Sequence, residues 1–144
     1  METALPPSDR PSSPSRWLLP LLALCVGVLG MTAVWLALSM FLRSPCGWLA
    51  PLAALDMAMM LRLSAAPAGR VRAALAIVGT VAAIALSYWM MAATQMGQLL
   101  GLSSLESAQR LGPVLAGELV RHMTSGWDIA FAALALVLAW RFGR

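Results

Sequence analysis

The chain has no lysine, a single histidine, two cysteines and little charge of either sign: only 11% of its 144 residues are charged. A water-soluble domain of this size carries about 25%. The polar side chains that remain cannot cover a water-facing surface, so an ordinary soluble globule is excluded. The two cysteines, Cys25 and Cys46, form no CxxC, which excludes a disulfide framework and a cysteine-rich zinc site. The lone histidine, His122, stands beside Arg121 with no Cys, Asp or Ser at catalytic spacing. Glycine-rich phosphate loops, HExxH, paired carboxylates and a Ser-His-Asp order are also missing. The expected catalytic, cofactor and metal residues are therefore none, and the chain reads as a non-enzyme.

What is there is apolar. Hydrophobic residues make up 60% of the chain, and the mean hydropathy is +0.80. Crossing a bilayer as a helix takes about 20 mostly apolar residues. Trp17–Leu42 and Ala73–Met96 meet that length with no charge inside. Two shorter runs follow the same pattern: Gly47–Leu63, which holds Asp56 and Arg62, and Gly126–Phe142, with Asp128 in its first turn and Arg141 near its end. The fold class read from this is an all-α membrane protein. It is an antiparallel bundle of four transmembrane helices (17–42, 47–63, 73–96 and 126–142) within a domain spanning 17–144.

The run from Trp17 is too long for the apolar core of a signal peptide, about 7–15 residues, and no A-x-A site closes it. It is expected to stay as an uncleaved span. Leu22-Ala23-Leu24-Cys25 loosely resembles a lipoprotein box, but Leu24 is too large for the small residue needed there. Residues 1–16, rich in Pro and Ser, read as a disordered cytoplasmic tail. The stretch 97–125 reads as a periplasmic connecting segment holding an interfacial helix between the third and fourth spans. Ser103 and Glu106 have capping-box spacing, and Pro113 should kink or divide that helix.

The ten arginines give a formal charge of +4. They flank the apolar runs and form no basic stripe, so a nucleic-acid partner is not expected. Arg10, Arg16, Arg62, Arg70, Arg72, Arg141 and Arg144 fall on one side of a four-span arrangement. Arg43, Arg110 and Arg121 fall on the other, offset by Glu106 and Glu118. The positive-inside rule then places both termini in the cytoplasm of a bacterial inner membrane. Trp17, Trp48, Trp127 and Trp140 fall near proposed helix ends, where indole prefers to sit.

The candidate intramembrane polar site is Asp56 with Thr80. A carboxylate inside a span costs roughly 2.5–3.5 kcal/mol on insertion scales, so it should face the interior. At 1.5 Å per residue it lies about 9 Å from the level of Arg62. Matched depth places it near Thr80 on the third helix and Cys25 on the first. It is either a proton or cation relay or a packing hydrogen bond. Met90, Met91 and Met96 of the third helix lie toward the periplasm, where Met40, Cys46, His122 and Met123 could join them, but the spacing is not that of a dedicated metal site. Cys46, beside Pro45 and Gly47, is expected near the surface, where an intermolecular disulfide is open to it; Cys25 lies too deep to pair with it. Ala50, Ala54 and Ala58, and Gly79, Ala83 and Ser87, form small-residue stripes suited to close helix packing. The expected partners are the lipid bilayer and either a membrane-protein partner or further copies of the chain. The expected function is an accessory or regulatory member of a membrane complex. The alternatives are a transporter or channel component using Asp56, or a periplasm-facing redox or metal protein.

Overall fold

The computed structural model describes residues 15–110 and 112–144 and is helical, with six helices. They are α1 Ser15–Leu42, α2 Leu49–Leu63, α3 Arg70–Leu100, α4 Ser104–Arg110, α5 Pro113–Met123 and α6 Gly126–Gly143. The tail read as disordered lies, but for its last two residues, outside the described residues. Three helices are long and apolar enough to cross a membrane: Trp17–Leu42 within α1, α3 and α6. With 15 residues, α2 is shorter than such a span.

Burial inverts the soluble pattern. The outer face of α1 exposes Leu18, Leu22, Val26 and Leu29 by 61–65%. Its inner face buries Leu24, Thr32, Trp35 and Ser39. On α3 the buried side is Ala73, Ala76, Gly79, Thr80, Ala83 and Ser87; on α6 it is Ala135, Ala139 and Gly143. Small or hydroxyl-bearing residues on the buried sides of α3 and α6, with leucines and valines left exposed, suit lipid as solvent, although Trp35, Met57 and Leu61 are buried as well. Lipid does not drive leucines inward, and small residues let backbones approach. The molecule is thus a membrane protein by composition, helix length and packing.

α3 touches every other helix, and α2 is the second hub of the bundle. α2 packs against α1, α3 and α6, while α1 and α6 do not touch each other. Ala50, Ala54 and Ala58, the stripe read from the sequence, are all buried, together with Ala53, Met57 and Leu61. The other sequence stripe, Gly79, Ala83 and Ser87, is buried on α3. The packing is close: a Cβ on Gly79 would stand 2.6 Å from Leu24 Cδ1, and one on Gly143 would stand 2.8 Å from Ala73 Cα.

The segment 97–125 holds two helices. Gly101 ends α3 in the left-handed region (φ 68°), and Leu102 N–H donates to the Gly97 carbonyl at 2.9 Å, a glycine-type helix stop. Pro113 starts α5 at a position where its missing N–H costs nothing. The chain therefore divides at Pro113 instead of bending through it. At the start of α4, Glu106 N–H donates to Ser103 Oγ at 3.3 Å. α4 and α5 both rest on α3.

Candidate functional site

Asp56 is half-buried on α2. One carboxylate oxygen stands 3.5 Å from where a Cβ on Gly27 of α1 would lie. The same missing side chain leaves room for Met57 Cε and Met60 Cγ, which lie closer still to that point, at 3.1 and 3.3 Å. Thr80 is fully buried on α3, and its hydroxyl donates to the Ala76 carbonyl of its own helix at 2.7 Å. No hydrogen bond joins Asp56 to Thr80 among the described residues. Cys25, the other expected neighbour, is exposed on α1. Gly27 is two residues further on, about 200° round the helix. Depth along the axis was readable from residue counting; the azimuth was not.

The other hydroxyls inside the bundle behave like Thr80. Thr32 donates to the Val28 carbonyl at 2.7 Å, Ser87 to Ala83 at 2.7 Å, and Thr94 to Met90 at 2.8 Å. Each satisfies its hydroxyl on the carbonyl four residues back, which removes the cost of an unpaired group in a dry interior.

The turn between α1 and α2 forms a lock at one end of the bundle. Trp35, with no exposed surface, donates its indole N–H to the Pro45 carbonyl at 2.9 Å. Its ring lies 6.0 Å from that of Tyr88 on α3, tilted by 60°. Arg43 (φ 52°) and Cys46 (φ 51°) both occupy the left-handed region, rare for residues with a side chain. Gly47 lies directly against Asp128 of α6, leaving no room for a Cβ. Asp128 also closes the start of α6: its carboxylate accepts Ser125 N–H at 2.8 Å, and Ser125 Oγ accepts Asp128 N–H at 3.4 Å. This capping box follows an S-x-x-D pattern that is visible in the sequence. Cys46 is 3% exposed. Burial pushes its thiol pKa up, and the Asp128 carboxylate adds to the effect. A thiol in that position is not presented to a second chain.

The opposite end is closed by arginine. Arg72 donates from Nε to the Gly143 carbonyl at 2.9 Å and from Nη2 to the Arg144 carbonyl at 2.6 Å. Arg62 donates to the Phe142 carbonyl at 2.7 Å. Two cations thus cap carbonyls that α6 leaves without helical partners, at the negative end of its dipole. Arg144 in turn stacks over Trp140, 4.7 Å from the ring centre. Sequence reading counted these arginines only as charge that fixes sidedness.

The cysteine and the histidine expected together at the periplasmic edge differ in exposure. Cys46 is buried in the turn, and His122 is exposed on α5 with Nδ1 3.1 Å from the Glu118 carbonyl oxygen. Among the described residues, no three of His, Cys, Asp or Glu lie together as metal ligands would. An open apolar groove of about 530 Å³ runs between α3, α5 and α6, lined by Ile84, Tyr88, Ala116, Val120, Asp128 and Leu136 among others. Inside-out helix packing, with Thr32, Thr80, Ser87 and Thr94 bonded to backbone and Ser107 Oγ of α4 the buried exception, defines the class as a helical membrane protein. No family model, curated protein or solved structure matches the chain.

Proposed function

We propose that the chain is a non-enzymatic accessory or regulatory subunit of a membrane complex. It crosses the bacterial inner membrane four times, with both termini in the cytoplasm. The observation that carries the non-enzymatic reading is where the polar groups go. Hydroxyls inside the bundle are bonded to carbonyls of their own helices, Arg62 and Arg72 to the end of α6, and Asp128 to the start of α6. These groups, committed to holding backbone, are not free to do chemistry on a substrate; Asp56, which is not so committed, carries the second reading below.

Support for the fourth crossing comes from α2. Alone it is about 22 Å long, short of a hydrocarbon core of about 30 Å. It nevertheless runs parallel to α6 along its length. Gly47, just before its start, meets Asp128 at the start of α6, and Arg62, near its end, meets Phe142 at the end of α6. The two helices are coextensive, and α6 is one of the three span-length helices. α2 packs on α1, α3 and α6 and leaves Leu52, Met59 and Leu63 exposed by 46%, 61% and 70%, so its free face is apolar as a lipid-facing one would be. The arginine-rich end then faces the cytoplasm, and α4 and α5 lie on the periplasmic side.

The partner-binding element is the α4–α5 arm, which rests on α3 and exposes Leu105, Val114 and Leu115 by 65%, 81% and 45%. Photo-crosslinkers placed at Val114 and at Val26 in native membranes test this. Val114 should give a protein adduct that survives mild detergent extraction, and Val26 only lipid adducts. A chain that extracts as a clean monomer, with no protein adduct at Val114, rejects the reading.

A second reading rests on Asp56. Its carboxylate lies at the α1–α2 contact beside Gly27 and has no hydrogen-bond partner among the described residues. An intramembrane carboxylate of this kind marks ion pathways, which fits a transporter or channel component. Unchanged flux in proteoliposomes carrying Asp56→Asn would dispose of it.

A further inference from the structure

A second cavity, about 540 Å³, lies between the last turn of α1, the turn that follows it and the outer part of α3. It is built from two matched helix faces. Leu36, Ser39, Met40 and Arg43 follow i, i+3, i+4, i+7 spacing along α1 and into the turn. Met91, Thr94, Gln95 and Gln98 follow the same spacing along α3. Such residues share one side of a helix. Both faces run in the same sense, from an apolar residue (Leu36, Met91) to a polar one at the bundle's end (Arg43, Gln98). Ser44 and Pro45 complete the wall.

The donors in this cavity are not all spent. Ser39 and Thr94 give their hydroxyl protons to the Leu36 and Met90 carbonyls. Arg43, Ser44, Gln95 and Gln98 make no side-chain hydrogen bond among the described residues, and no carboxylate lines the space. The one ion pair among the described residues is elsewhere, Arg110 with Glu106 at 2.8 Å. Arg43 is held in a left-handed backbone conformation at the cavity wall. A guanidinium with neutral amide and hydroxyl donors around it, and no acid, is complementary to an anion with several acceptor oxygens.

We propose that this cavity binds a phosphate group, with Arg43 as the charged anchor and Gln95, Gln98 and Ser44 as neutral donors. The apolar floor of Leu36 and Met91 accepts the carbon side of a phosphate ester. Phe41, Leu99 and Leu100, close in the chain to lining residues, are exposed by 85%, 80% and 66%. The phosphate can belong to a lipid headgroup or to a soluble anion. The cavity meets the α4–α5 arm at the Thr94–Ser104 hydrogen bond of 3.2 Å, but Val114 does not line it, so loss of phosphate binding and loss of the Val114 adduct are read separately.

The test uses purified full-length protein in a nonionic detergent. Binding is measured by native mass spectrometry and thermal shift in three arms: phosphatidylglycerol, inorganic phosphate and potassium chloride. Binding of phosphatidylglycerol alone assigns a lipid headgroup, and binding of inorganic phosphate as well assigns a site open to soluble phosphate. In either case Arg43→Gln should weaken binding about tenfold, the scale of a lost charge-assisted hydrogen bond. Arg43→Lys should recover part of that. Arg110→Gln, at the Glu106 pair, should leave binding unchanged. If Arg43→Gln fails to fold, Gln95→Glu keeps the arginine, adds a repelling carboxylate at an exposed position and should abolish binding. The proposal is overturned if neither phosphate source binds above the chloride control. It is equally overturned if binding is the same in wild type, Arg43→Gln and Gln95→Glu.

Discussion

The two ends of the bundle are closed by different physics. At the arginine end, charged side chains reach across from the α2–α3 connection and bond the last carbonyls of α6. At the opposite end, closure comes from fit: Trp35 over Pro45, and Gly47 against Asp128. The first closure is polar, solvent-accessible in part and adjustable. The second is dry and depends on shape. Both cavities lie at or toward the second end. A region fixed by shape can leave unfilled space beside it, whereas flexible arginines close over whatever backbone is exposed.

This comparison can be broken most sharply at Trp35. Trp35→Ala removes a fully buried indole and its hydrogen bond and should cost about 3–5 kcal/mol. SDS titration of the protein in mixed micelles, followed by circular dichroism, measures this; a cost below about 1 kcal/mol would mean that the ring is not what holds the turn. Close approach is the next lever. Gly47→Val and Gly143→Val put atoms where Asp128 and Ala73 already sit, and each should cost about 1–3 kcal/mol. The loss at Gly143 should be the smaller, because it lies at a helix end that can shift outward.

The arginine closure should yield less. Arg72→Gln removes two charge-assisted bonds that are partly open to solvent and should cost about 1–2 kcal/mol. High salt should mimic part of that loss while sparing the Trp35 end, and equal salt sensitivity at both ends would erase the distinction. Thr80→Val should matter least, about 0.6 kcal/mol or less, because the hydroxyl bonds only its own helix.

Cys46 offers a pH test of the dry end. Its thiol pKa is raised above the ordinary 9.0, first by burial and then by Asp128. A raised pKa means that the folded state holds the proton longer than the unfolded chain. The associated stability is complete below pH 9 and is lost as the pH climbs through the folded value. Maleimide labelling in a Cys25→Ser background should therefore stay slow at neutral pH and accelerate only above the usual thiol range. Rapid labelling at pH 7 would show the turn to be open.

Much of the architecture was legible because it rests on local counts. The long uncharged runs marked α1 and α3, and the alanine stripe of α2 and the Gly79, Ala83, Ser87 stripe of α3 are buried as their spacing implied. Pro113 announced the break between α4 and α5. The third stripe, Ala135, Ala139 and Gly143, was equally visible at four-residue spacing and was missed. The site was less legible. Asp56 was expected at the depth of Thr80 and Cys25; its carboxylate lies beside Gly27, two residues from Cys25, while Cys25 itself is exposed, because matching residues by depth says nothing about rotation round each axis. Cys46 was expected near the surface from its place in a Pro-Cys-Gly turn, but Trp35, Tyr88 and Asp128 from three other helices close over that turn.

The sequence by itself determined the solvent, the helices and their approximate ends, because hydropathy, charge and helix breakers act within a few residues of chain. Only the tertiary structure decided which side of each helix turns inward, which carbonyls the arginines cap and where space is left over. Those outcomes depend on atoms brought together from distant positions, and a glycine's missing Cβ matters only once another helix is lying against it.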